Sequence, residues 1–107
     1  MDLDSYTFVL LKRGPQADEF SDGELSRLQE QHLAHLGAMG ELGALLVAGP
    51  FSDQSDESLR GFALYRTDLE ETRRLAEQDP AVRAGRIAVD VMTWWTMRGA
   101  LPFEEQA

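Results

Sequence analysis

Apolar residues recur along this chain with two different periods, and the switches between them divide it into alternating strands and helices. Positions 6–11 form a β-branched and aromatic run with apolar side chains on both faces, closed by Gly14-Pro15. They predict a first strand. Ser21 and Glu24 then stand at capping-box spacing, with Phe20 and Leu25 placed to staple the turn. The helix they open runs to about Glu41, where glycines at 37, 40 and 43 thin its end and Gly43 is a natural stop. The short apolar run 44–48 before Gly49-Pro50 predicts a second strand, 51–58 a polar acidic loop, and 61–65 a third strand. Thr67 with Glu70, or Asp68 with Glu71, offers a second capping box. That helix ends near Gln78, because Asp79 precedes Pro80 and is pushed out of the α region. After Gly85, positions 87–97 predict a long last strand. The chain thus divides into one domain, 1–97, and a tail, 98–107.

The order is βαββαβ, an α+β arrangement of the ferredoxin-like type, with both helices on one face of an antiparallel sheet. In the last strand Ile87, Val89, Val91 and Trp95 point one way, while Ala88, Met92 and Trp94 point the other. One helix layer cannot bury both sets. The apolar face left over predicts a homodimer through the sheet face. The alternative is that the tail folds back over it.

Composition narrows the chemistry. The chain has 107 residues, 43% of them apolar, and a net charge of −9 from 19 acids against 10 bases. A surface so acidic repels phosphate backbones, so no nucleic-acid partner is expected. No apolar run has transmembrane length, and Met1-Asp2-Leu3-Asp4 lacks the order of a signal peptide, so a cytoplasmic location with no membrane partner is expected. With no cysteine there is no thiolate nucleophile or thiolate metal site. Imidazole chemistry rests on His32 and His35 alone.

Helical spacing separates these two. At about 100° per residue, Leu25, Leu28, His32, Leu36 and Met39 share one stripe, with His32 near its middle and His35 on its flank. The stripe must face the sheet, so His32 points into core or cavity. There burial favours the neutral, proton-accepting ring, and a neighbouring carboxylate would fix which nitrogen carries the proton. That is how a general base is built. A lone histidine on an apolar stripe is also compatible with a hydrogen-bonded core residue. Asp79 is singled out among the acids by its place at the end of the second helix, though a turn-forming role before proline accounts for it equally. Asp53, Asp56 and Glu57 lack the spacing of a calcium loop. His32 and His35 at i and i+3 have no evident third ligand, so no metal and no other cofactor is expected. Asp90 in the last strand has no assigned role.

Two segments carry a resemblance. His32-Leu33-Ala34-His35-Leu36, followed by Gly43-Ala44-Leu45-Leu46-Val47-Ala48-Gly49-Pro50, and then Asp79-Pro80-Ala81-Val82-Arg83-Ala84-Gly85, resemble the YciI-like (YCII-related) domain family in order and spacing. The resemblance implies a dimeric α+β barrel and a histidine/aspartate-centred site, whose histidine corresponds to His32 and whose aspartate to Asp79. Ala81 stands where the family often has Phe or Tyr, which puts pocket size and substrate in doubt. One expectation is therefore an enzyme of lyase or isomerase type, in which His32, oriented by Asp79, removes a proton from a small organic ligand. The other is a non-catalytic dimeric module that binds a small ligand or a protein.

Overall fold

The computed structural model describes residues 2–103, so Met1 and the end of the expected tail, 104–107, lie outside it. Four strands form one sheet: β1 (Leu3–Arg13), β2 (Leu45–Pro50), β3 (Leu59–Tyr65) and β4 (Ile87–Met97). They are ordered β2-β3-β1-β4, and every neighbouring pair is antiparallel. Between them run α1 (Asp22–Glu41), α2 (Leu69–Ala76) and α3 (Pro80–Arg83). The fold is the ferredoxin-like α+β arrangement.

Strand alternation explains where the core lies. Thr7, Val9 and Leu11 of β1 are buried, and Val9 and Leu11 pair with Val91 and Val89 of β4 and with Ala63 and Gly61 of β3. With Met39 of α1 and Leu75 and Ala76 of α2, this face makes the core. The opposite face carries Tyr6, Phe8, Phe62, Leu64, Met92 and Trp94. Phe8 stacks on Phe62 with ring centroids 5.1 Å apart, and Tyr6 tilts against Trp94 at 6.2 Å. No described helix covers these rings, and Trp94 and Met92 remain 39% and 38% exposed.

Three elements differ from the sequence pattern. β1 runs over 3–13 rather than 6–11, because β4 pairs with it from Leu3↔Met97 to Arg13↔Ile87 and polar ends such as Asp4 and Lys12 are held by the ladder. β2 continues through Gly49-Pro50 as an edge strand, where proline need not donate. α2 stops at Ala76, two residues before the expected Gln78, and Asp79-Pro80 starts α3, a turn of helix the pattern did not predict. Of the expected tail, Arg98 N–H bonds the Asp2 carbonyl at 3.2 Å and Gly99 N–H the Asp4 carboxylate at 3.0 Å. The first bond carries the β1–β4 pairing one residue further, and Ala100 N–H then closes a turn on the Met97 carbonyl at 3.0 Å.

Two glycines let the ends of β1 and β4 meet. Gly14 N–H donates to the Arg86 carbonyl at 2.7 Å, and Gln16 N–H to the Gly85 carbonyl at 2.9 Å. A β-carbon on Gly14 would collide with the Gly85 carbonyl. Gly85 itself has φ +81°, a conformation L side chains rarely take.

Candidate active site

The site begins with the cap on α1. The Ser21 hydroxyl accepts from Glu24 N–H at 3.2 Å, and the Glu24 carboxylate accepts from Ser21 N–H at 3.0 Å. This reciprocal pair fixes the helix start, and so the rotation of every later residue. Leu28, His32 and Met39 are buried along one stripe, with Leu25 and Leu36 half-buried beside it. His32 is 8% exposed.

Asp79 arrives from the other helix. Pro80 holds it in extended conformation, φ −60° and ψ 125°, and proline occupies the first turn of α3, where a missing N–H costs nothing. The carboxylate then folds back. Its Oδ1 accepts from Ala81 N–H at 2.9 Å and caps α3. Its Oδ2 lies 2.5 Å from His32 Nδ1. Asp79 is 3% exposed.

The carboxylate accepts, so Nδ1 is the nitrogen that donates, and in a neutral ring the lone pair is then on Nε2. Among the described residues no hydrogen bond reaches Nε2. A cavity of about 450 Å³ opens on the helix side of the sheet, and His32 lines it while Asp79 does not. His32 is thus the member of the pair that borders the cavity. Leu11, Leu36, Ala48 and Ile87 supply apolar walls, and Arg13, Arg60, Arg86 and Gln29 supply polar ones. Behind the pair, Tyr65 is 2% exposed. Burial first, and the Asp79 charge second, push its phenol up to about 12.

The other sequence candidates fall elsewhere. His35 is half-buried, lies outside the cavity lining, and leaves Nε2 buried without a partner among the described residues. The 51–58 loop is organised by its own bonds. The Asp56 carboxylate accepts from Ser58 N–H at 3.0 Å and from its hydroxyl at 2.6 Å, which holds Asp56 below the usual carboxylate range. Asp90 sits exposed on the open face, 4.0 Å from the Lys12 ammonium. Among the described residues no group of three or more His, Asp or Glu side chains converges as a metal site. Likewise, no described helix is long and apolar enough to cross a membrane.

The cavity arginines were not singled out by the sequence. Arg60 sits where the β1–β3 register shifts, opposite no single residue of β1. Arg86 precedes β4 and is set by the Gly14–Gly85 crossing. Neither a bulge nor a crossing of backbones has a periodic signature.

The model of the YCII-related domain matches residues 7–95 of this chain. No curated protein matches it. Two solved structures are similar at low identity. One is 5-chloro-2-hydroxyhydroquinone dehydrochlorinase (TftG) from Burkholderia phenoliruptrix AC1100 in complex with 2,5-dihydroxybenzoquinone, 23% identical over 82% of this chain and 92% of that chain, with a TM-score of 0.49. The other is a candidate PII-like signaling protein from Thermus thermophilus, 19% identical over 92% of this chain and 96% of that chain, with a TM-score of 0.43. At that distance neither carries an activity or a residue role across.

Proposed function

The chain belongs to the YCII-related domain family, and from that premise we propose that it is a small-molecule enzyme in which His32 is the general base and Asp79 its orienting partner. The observation that carries this reading is the 2.5 Å contact between Asp79 Oδ2 and His32 Nδ1, at a histidine that lines the cavity. A donor at Nδ1 leaves Nε2 to accept a proton. The substrate would place an activated C–H, beside a carbonyl or a leaving group, within hydrogen-bond reach of Nε2. The imidazole takes the proton. The electron pair of the broken C–H bond then forms a double bond, either as an enolate or by expelling the leaving group with its own pair. Imidazolium next to the Asp79 carboxylate is a stabilised ion pair, and the proton returns to solvent or to the product.

The uncovered aromatic face supports a second part of the reading, a homodimer joined sheet to sheet. Phe8, Phe62, Tyr6, Trp94 and Met92 form a continuous apolar surface on that side. Surfaces of this kind mark association sites.

The test for the base is deuterium exchange from solvent into a panel of cyclic enones and halogenated quinols, followed by NMR. Wild-type protein is expected to exchange or eliminate, and His32→Ala and Asp79→Asn to remain folded and inactive. Full activity in both variants would overturn the mechanism. A folded protein inert on the whole panel would favour a module that binds without reacting.

A further inference from the structure

The cavity's charge is opposite to that of the chain. The whole protein carries −9, yet among the described residues three of its ten basic side chains, Arg13, Arg60 and Arg86, line this one cavity against a single acid, Asp18. Asp18 pairs with Arg13, which accounts for one cation. Two remain. Arg86 donates from one terminal nitrogen to the Leu25 carbonyl of α1, 3.0 Å away, which anchors that end of the side chain, and among the described residues no other hydrogen bond uses its guanidinium. Arg60, at the register shift of β3, has no ion-pair partner among the described residues. Excess positive charge inside an apolar-walled cleft of an acidic protein draws in small anions. Low-dielectric walls focus its field on the cleft.

We propose that this cavity binds a small, largely apolar organic acid, with its carboxylate on Arg86 and Arg60 and its hydrocarbon against Leu11, Leu36 and Ile87. The proposal rests on the general-base reading only for the direction in which the ligand would present its C–H. The guanidinium is planar by its own conjugation, and its rigid fork offers a carboxylate two parallel N–H donors. The volume, about 450 Å³, lies within the ~300–1,000 Å³ typical of sites that enclose small ligands. Apolar walls beside a charged fork favour an unsaturated or aromatic monocarboxylate over a sugar acid, whose many hydroxyls would lie against Leu11, Leu36 and Ile87. The same two cations would also lower the cost of an enolate formed beside Nε2.

The experiment is an NMR titration of the intact protein with benzoate, sorbate and cyclohexanecarboxylate, each against its neutral amide. The readouts are the His32 ring and Arg86 guanidinium signals. At least one acid is expected to bind and its amide to bind at least about tenfold more weakly, as expected when a charge-assisted pair is lost. Arg60→Gln, exposed and unpaired, is expected to stay folded and to weaken the acid about tenfold. Arg86→Gln is expected to do the same, and added salt to weaken binding further. Equal affinity for acid and amide, no effect of Arg60→Gln in a folded protein, or no binding by any of the three acids would each overturn the proposal. The two readings fail separately. Acid binding without any proton exchange removes the general base and keeps the anion site. Turnover of a neutral substrate indifferent to Arg60→Gln does the reverse.

Discussion

Replacing Asp79 by asparagine and, separately, by alanine pulls apart the two duties of one carboxylate. Oδ1 caps α3 through Ala81 N–H and Oδ2 holds His32 Nδ1. Alanine removes both. Loss of the cap costs about 1 kcal/mol. The buried Nδ1–H left without an acceptor costs about 1.5–3 kcal/mol more. The sum, about 2.5–4 kcal/mol, is a large share of the ~5–15 kcal/mol that stabilises an ordinary domain. Asparagine has the same shape and keeps an oxygen on Ala81 N–H. Its amide nitrogen then faces Nδ1, and two donors cannot share a bond. The ring changes tautomer, so that Nδ1 accepts and the proton moves to Nε2. The stability cost falls to about 1 kcal/mol, the difference between a charge-assisted bond and a neutral one. The chemical cost does not fall, because Nε2 has lost its lone pair. A wrong tautomer of this kind costs about ten-thousand-fold in the serine-hydrolase triad. Urea denaturation of both variants measures the first quantity, and imidazole nitrogen NMR reads the tautomer directly. If asparagine destabilises as much as alanine, or if Nε2 stays unprotonated in Asp79→Asn, the assignment of the two oxygens is wrong.

The remaining expectations concern the frame around the site. The buried Tyr65 phenol, pushed up to about 12 by burial and by Asp79, keeps its proton longer in the folded state than its ordinary value near 10 allows when unfolded. That contribution is complete below about pH 10 and is lost as pH rises through about 12, roughly 2–3 kcal/mol in all. Tyr65→Phe should flatten this alkaline slope in a pH series of denaturation midpoints. Gly14→Ala forces a methyl group into the Gly85 carbonyl and should cost about 1–3 kcal/mol by thermal unfolding. By contrast, Gly37→Ala on open helix surface should gain up to about 1 kcal/mol. Met92→Lys puts a charge on an already exposed point of the aromatic face. It should convert a sedimenting dimer to a folded monomer, and wild-type protein that sediments only as a monomer would refute the sheet-to-sheet assembly.

Most of the architecture was legible because it rests on periodic patterns. The stripe Leu25, Leu28, His32, Leu36, Met39 marked both the helix and the face it would bury, and the buried residues of α1 lie on that stripe. The apolar residues on both sides of 87–97 foretold a sheet with one face uncovered by helices. From its own pattern Asp79 was legible only as a stop, and its pairing with His32 was expected only from the family resemblance. Its extended backbone before Pro80 was predictable, but the turn of α3 that follows depends on its own side chain reaching Ala81 N–H, and four residues show no period. The distance from Asp79 to His32 is likewise a tertiary quantity, set by how α1 and α3 pack. The arginines were the least visible. Arg60 owes its position to an irregular register and Arg86 to two glycines whose backbones nearly touch, and neither feature leaves a repeat in the sequence.

One amide offers a way to watch the site without touching it. Ala81 N–H is bonded to the oxygen of Asp79 that His32 does not use, and Ala81 is itself almost wholly buried. Any shift of charge on the carboxylate, whether from a proton arriving at the imidazole or from a ligand disturbing the ring, alters the strength of that bond. The backbone resonance of a single alanine, and the rate at which it trades hydrogen for deuterium, therefore records the ionisation of the pair from behind. It needs no labelled substrate, no engineered probe and no knowledge of what the cavity holds.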